Sequence, residues 1–196
     1  MQQRKDEASK WRNILKRYLD CILFLGKLIL AFRGSDNTLL GENKGNFLSL
    51  LKLISKYDPV ILNHLQEIKN ASLDGKKQGT SYLSGSSQNQ LIVLCEDQIR
   101  EEILNGRTKS RYFGMICDAT PEKSRTEQTT VILRYLHYTG VEWKVEESFL
   151  EFLDYNMKKG SQLAELYLSR LKHYNISVKD VRAQGYDNGP NMAGIH

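Results

Sequence analysis

The sequence predicts a mixed α/β protein in which a helical N-terminal region precedes a β-β-β-α-β core. Three observations lead there. Apolar residues recur at three- and four-residue spacing from Trp11 through Leu25, as a helix with one buried face requires. Beyond Gly106 the pattern changes to compact runs of β-branched and aromatic residues, which suit a pleated, half-buried strand. Two of those runs are followed directly by an aspartate, Asp118 and Asp187.

The first helix carries Ile14, Leu15, Tyr18, Leu19, Ile22, Leu23 and Leu25 and becomes apolar all round toward Phe32. Gly34 to Lys44 reads as a polar turn, because Gly34, Asp36, Asn37 and Gly41 supply loop chemistry. A second helix is expected from about Phe47 to Tyr57. Pro59 fits the first turn of a third that ends near Leu65. Lys69 to Ser86 is rich in Gly, Ser, Lys and Asn and reads as a loop or linker. Ser87 with Gln90 resembles a capping box for a fourth helix with Leu91, Ile92, Cys95, Ile99 and Ile103 on one face, closed by Gly106.

Strands are expected over Tyr112 to Cys117, Thr129 to Tyr138 and Trp143 to Phe152, antiparallel and joined by short turns. Gly160-Ser161 opens a helix that directs Leu163, Leu166, Leu168 and Leu171 inward, and Val181 to Tyr186 forms the last strand. The resulting division is a helical region over 1–68, a linker over 69–86 and a mixed core over 87–196.

Composition bounds the function. The chain has 196 residues, 40% hydrophobic and 26% charged, with a net charge of +5. That is enough for a substantial core, and its mildly basic balance suits an anionic partner such as DNA. Cys21, Cys95 and Cys117 are too few and too scattered for a disulfide framework or a zinc site, so a reducing compartment is expected. The apolar run from Cys21 to Phe32 is short and broken by Lys27, which argues against a membrane span. No signal peptide is recognisable, so the chain is read as not secreted.

A right-handed crossover through the Ser161 to Tyr174 helix returns the last strand parallel to the first and beside it. On that arrangement Asp118 and Asp187 lie at one end of neighbouring strands. Paired carboxylates repel unless a cation lies between them, and Mg²⁺ held there can activate water. The competing reading makes each aspartate the start of a turn, since Asp-Ala-Thr-Pro and Asp-Asn-Gly-Pro are ordinary turn sequences.

Tyr112-Phe113-Gly114-Met115-Ile116-Cys117-Asp118-Ala119-Thr120-Pro121, then Ser124, Glu127-Gln128 and Leu133-Arg134-Tyr135, resemble the transposase-like domain of zinc finger MYM-type proteins and other genes derived from hAT elements. Arg182 through Gly194 is similar to that family's second signature. Ala31-Phe32-Arg33-Gly34, Asn43-Lys44-Gly45-Asn46-Phe47 and the polar run from Ser87 through Gln90 match its order upstream. The resemblance spans roughly Phe24 to the C-terminus and implies a ribonuclease H-like fold. Asp118 and Asp187 then stand where the family places the first two acids of an Asp-Asp-Glu triad, as catalytic and Mg²⁺-binding residues. Ala119, Glu122, Arg125, Ala183 and Pro190 depart from the family's usual residues. No acidic residue follows Asp187, so the third acid and the N-terminal zinc finger of a full transposase are expected to be missing.

Glu165 lies on the helix from which cellular ribonucleases H take an acid. Its place between Leu163 and Leu166 favours solvent. Cys117 is expected to be a core thiol, and His64, His137, His173 and His196 lack ligand spacing and read as surface or interfacial. Lys5, Lys10, Arg12, Lys16 and Arg17 form a basic patch read as a solvated helix face. Arg107, Lys109 and Arg111, just before the first strand, are the preferred nucleic-acid path.

The expected function is therefore a transposase-derived ribonuclease H-like domain, inactive by itself and acting as a nucleic-acid-associated or protein-interaction module, in the nucleus by resemblance and otherwise cytoplasmic. DNA, protein partners and self-association are the expected contacts, and any Mg²⁺ binding is expected to be weak. The alternatives are a fragment of a metal-dependent transposase that needs missing downstream residues, and a small metal-dependent nuclease.

Overall fold

A computed structural model describes residues 1–36, 41, 43–74, 80–121, 127–155 and 160–186. Two compact units emerge, Met1–Asp97 and Gln98–His196.

The first unit is helical, with α1 Gln2–Lys27, α2 Gly45–Ile54, α3 Pro59–Leu73 and the first half of α4 Gly85–Thr108. Its core joins Ile14, Tyr18, Cys21, Phe47, Leu51 and Ile61, all essentially without solvent exposure. The start of α3 follows directly from sequence. Pro59 sits in the first turn, and the Asp58 carboxylate accepts from the amides of Val60 and Ile61. Arg17 Nε donates to the same carboxylate at 2.7 Å and ties α3 to α1. That bond and the amide donors hold the Asp58 carboxyl below its usual range.

The expected polar turn before α2 has a steric reason for its glycines. Gly45 has φ +79, and a Cβ there would lie 2.3 Å from the Gly34 amide nitrogen. A Cβ on Gly34 would lie 2.1 Å from the Asn43 carbonyl oxygen. The two backbones pass too closely for any side chain, and the Phe47 amide donates to the Phe32 carbonyl at 3.0 Å beside them.

Several element boundaries differ from the sequence expectation. α3 continues to Leu73, past the expected stop near Leu65, because Ile61, His64 and Ile68 keep one stripe buried. The hydroxyl near the start of α4 that accepts a helical amide belongs to Ser84, which takes the Ser87 N–H at 3.2 Å, in place of the expected Ser87 cap. Gly106 lies inside α4 instead of closing it, and a Cβ there would make ordinary contact with the Tyr135 hydroxyl at 3.4 Å.

The second unit holds the end of α4 and a four-stranded sheet: β1 Phe113–Pro121, β2 Glu127–Tyr138, β3 Trp143–Tyr155 and β4 Val181–Tyr186, with α5 Gly160–His173 between β3 and β4. The spatial order is β3-β2-β1-β4. β1, β2 and β3 pair antiparallel, while β4 runs parallel to β1, as the sequence predicts.

One face of the sheet buries Phe113, Met115, Cys117, Val131 and Leu133 beneath Leu163, Tyr167 and Leu171 of α5. That helix stripe is an i, i+4, i+8 series. Tyr167 therefore takes the inward place expected for Leu168, which is half exposed. The register shift opposite Val131 and Ile132 inserts Leu150 as an extra residue in β3, so that Leu150 and Glu151 are both buried. Glu151 then takes two bonds from Arg170, 2.8 Å from Nε and 2.5 Å from a terminal nitrogen, and one from the Tyr174 hydroxyl at 2.9 Å. This network fastens the end of the crossover helix to the sheet. Those bonds hold the Arg170 guanidinium firmly charged, and burial pushes the Tyr174 hydroxyl up.

Candidate functional site

Alternation along β1 decides where the aspartate lies. Phe113, Met115 and Cys117 face α5, so Gly114, Ile116 and Asp118 belong to the opposite face. Asp118 is exposed. Its carbonyl is held by two hydroxyls of β2, Thr129 Oγ1 at 3.3 Å and Thr130 Oγ1 at 3.1 Å. Cys117 is the core thiol expected, with burial pushing it up to about 11, far from a reactive thiolate.

The parallel ladder ends on the pair Cys117 and Tyr186. Asp118 and Asp187 are each the next residue in sequence, and Asp187 lies outside the described residues. Toward the other end of the ladder β4 approaches closely: a Cβ on Gly114 would meet the Ala183 Cβ at 3.3 Å. On the other face the Tyr186 ring stacks with Tyr167 at 6.2 Å.

Glu165 is exposed. It stands two residues from both Leu163 and Tyr167, about 200° around the helix from the buried stripe, and α5 covers the face opposite Asp118. The carboxylates of Asp118 and Glu165 are thus on opposite sides of the sheet. Among the described residues no group of three His, Cys, Asp or Glu side chains is placed to hold a metal.

The basic residues expected just before the first strand do precede β1. Arg107, Lys109 and Arg111 precede the N-terminal end of β1, whereas Asp118 is toward its other end, roughly 20 Å away at the rise of an extended strand. Arg107 is 9% exposed, with its guanidinium over the Phe113 ring at 4.8 Å. Arg111 is 75% exposed and pairs with Asp180 at 3.5 Å. Lys109 is exposed. His64 is also displaced from its expected surface role: it is buried against Trp11 at 5.4 Å, and burial lowers its pKa.

A further apolar surface was not anticipated from sequence. The sheet face that carries Asp118 also carries Leu136, Tyr138, Trp143, Val145, Phe149 and Phe152, all large and substantially exposed. Phe149 and Phe152 pack together at 4.7 Å, as do Tyr138 and Trp143 at 5.2 Å. The signal lay in β2, which carries apolar residues in both alternating sets, as strands covered on two faces do, and in β3, where Trp143, Val145 and Phe149 alternate with Lys144, Glu146 and Ser148.

A family model described as "ZMYM1/FAM200, RNase-like domain" matches residues 1–196. The chain belongs to this family. Its β3-β2-β1-β4 sheet with a parallel last strand is an incomplete RNase H-like core within the ZMYM1/FAM200 RNase-like domain. Among curated proteins it is similar to the "52 kDa repressor of the inhibitor of the protein kinase" of Homo sapiens and of Mus musculus, at 21% identity over 183 residues in each case. Those alignments cover 92% of this chain but 23% of each relative. No solved structure matches. No described helix is long and apolar enough to cross a membrane.

Proposed function

We propose that this chain is a transposase-derived RNase-like scaffold that does not cut nucleic acid by itself and works as a protein-interaction module. The observation that carries this reading is the exposed apolar face of the sheet, where Trp143 is 56% and Phe152 58% accessible. Exposed apolar surface of this kind, here crossed by the Arg134–Glu147 ion pair, marks contact sites. Asp118 supports the non-cutting half, since Glu165 is turned away from it on the far side of the sheet. The relatives are named as a repressor, and we extend that to a regulatory role in the nucleus for this chain.

Light scattering over a range of concentrations tests the interaction surface. The wild-type chain is expected to self-associate or aggregate as concentration rises. Phe149→Ser/Phe152→Ser is expected to remain monomeric with its melting temperature within a few degrees of wild type, because both rings are already about half exposed. A wild-type chain that stays monomeric at high concentration and melts cooperatively contradicts the proposal.

The parallel register favours a second reading. The ladder ends on Cys117 and Tyr186, Asp118 and Asp187 are the next residues in sequence, and two carboxylates of this kind suit a hard cation with water completing the shell. Mg²⁺ would supply charge neutralisation and water activation there. Calorimetric titration of Mg²⁺ into wild type and Asp118→Asn tests the pair: weak binding that vanishes in the variant supports the metal role, and identical traces remove it.

A further inference from the structure

We propose that the end of the sheet opposite Asp118 is a binding site for the phosphate backbone of nucleic acid, built on Arg182 and Arg111 around Tyr112. Arg182 Cζ lies 4.0 Å from the centroid of the Tyr112 ring, and Arg111 Cζ lies 5.3 Å from the same centroid. Two guanidinium groups on one exposed ring repel each other. They are held in place by the ring and by the backbone: one terminal nitrogen of Arg182 donates to the carbonyls of Lys179 at 2.7 Å and Val181 at 3.1 Å. The turn that presents Tyr112 is closed by the Ser110 hydroxyl, which donates to the Tyr112 carbonyl at 2.8 Å.

The charges around this cluster do not balance. Asp180 pairs with Arg111 at 3.5 Å and also faces Arg107, whose buried Nε has no hydrogen-bond partner among the described residues. Arg182 has no carboxylate partner among the described residues, and Lys109 and Lys179 are exposed in the flanking segments. A fixed guanidinium with free N–H groups matches a phosphate oxygen pair, and stacking on tyrosine removes much of the ordering cost that a free side chain carries. An anionic chain with repeating phosphates relieves the repulsion at several points at once. The site does not depend on the apolar face of the sheet.

Fluorescence anisotropy of the full chain with labelled oligothymidine, repeated as KCl is raised, tests the assignment. Arg182→Ala and Tyr112→Ala should each weaken binding about fivefold to tenfold, and the salt slope should fall by about 0.7 for each phosphate that the variant no longer neutralises. Arg182→Lys should behave like the alanine variant, because it keeps the charge and loses the stacked fork. Asp180→Asn, which removes the competing carboxylate, should tighten binding, a gain that misfolding cannot imitate. Lys16→Gln on α1 should leave affinity unchanged. An abasic strand of equal length should bind as well as oligothymidine. Unchanged affinity in Arg182→Ala, or weaker binding in Asp180→Asn, overturns the site. Equal binding of polyglutamate overturns its assignment to nucleic acid, and failure of the abasic strand to bind overturns its assignment to the backbone.

Discussion

Replacing Arg170 with methionine should destabilise the sheet unit by leaving a buried carboxylate without its cation. Glu151 is 7% exposed and receives two bonds from Arg170. Removing one partner of a buried ion pair costs about 3–5 kcal/mol. The lower end applies, because the Arg170 side chain is 30% exposed and the Tyr174 hydroxyl continues to donate to Glu151. For a unit of this size about 3 kcal/mol corresponds to a fall in melting temperature of roughly 12–24 °C. Thermal denaturation followed by circular dichroism reads the effect. One further result identifies the cause. Glu151→Leu/Arg170→Met should regain most of the lost stability, since an apolar pair replaces the stranded charge. A single variant within about 0.5 kcal/mol of wild type, or a double variant no better than the single, refutes the reasoning.

Gly45→Ala should cost about 2–4 kcal/mol by chemical denaturation, because φ +79 is strained for alanine and the new Cβ falls 2.3 Å from the Gly34 nitrogen; a destabilisation below about 1 kcal/mol would show that the crossing can open. Asp58 has a depressed folded pKa, so its contribution is full above the unfolded carboxylate value and is lost as pH falls through the folded one. Asp58→Asn should accordingly flatten the acid limb of the stability profile, and an unaltered limb would place acid sensitivity elsewhere.

The order of elements was legible because each strand and helix carries its own period, and the short connection from α5 to β4 leaves a parallel return beside β1 as the natural course. Asp118 was read as following a strand that ends at Cys117, whereas β1 pairs with β2 as far as Pro121 and holds Asp118 within it, a continuation that the turn-like Asp-Ala-Thr-Pro sequence hid. Other features depend on events that local pattern does not record. A single inserted residue in β3 moves Glu151 from the solvent series to the core series, which no reading of alternation over Trp143 to Phe152 reveals. Arg107 looks like a surface cation until Phe113 packs under its guanidinium. His64 occupies a helix position continuous with Ile61 and Ile68, so its burial was available from spacing, but its polar chemistry pointed to the surface instead. The Arg182 cluster joins residues about seventy positions apart in sequence and becomes visible only once parallel pairing sets β4 beside β1.

Whether this RNase-like domain cuts nucleic acid is tested most directly by nicking of supercoiled plasmid in Mg²⁺ or Mn²⁺, comparing wild type with Asp118→Asn. A non-cutting scaffold predicts that both proteins leave the plasmid as intact as buffer does. Metal-dependent nicking by wild type that disappears in Asp118→Asn would contradict it and make the exposed aspartate a working catalytic residue.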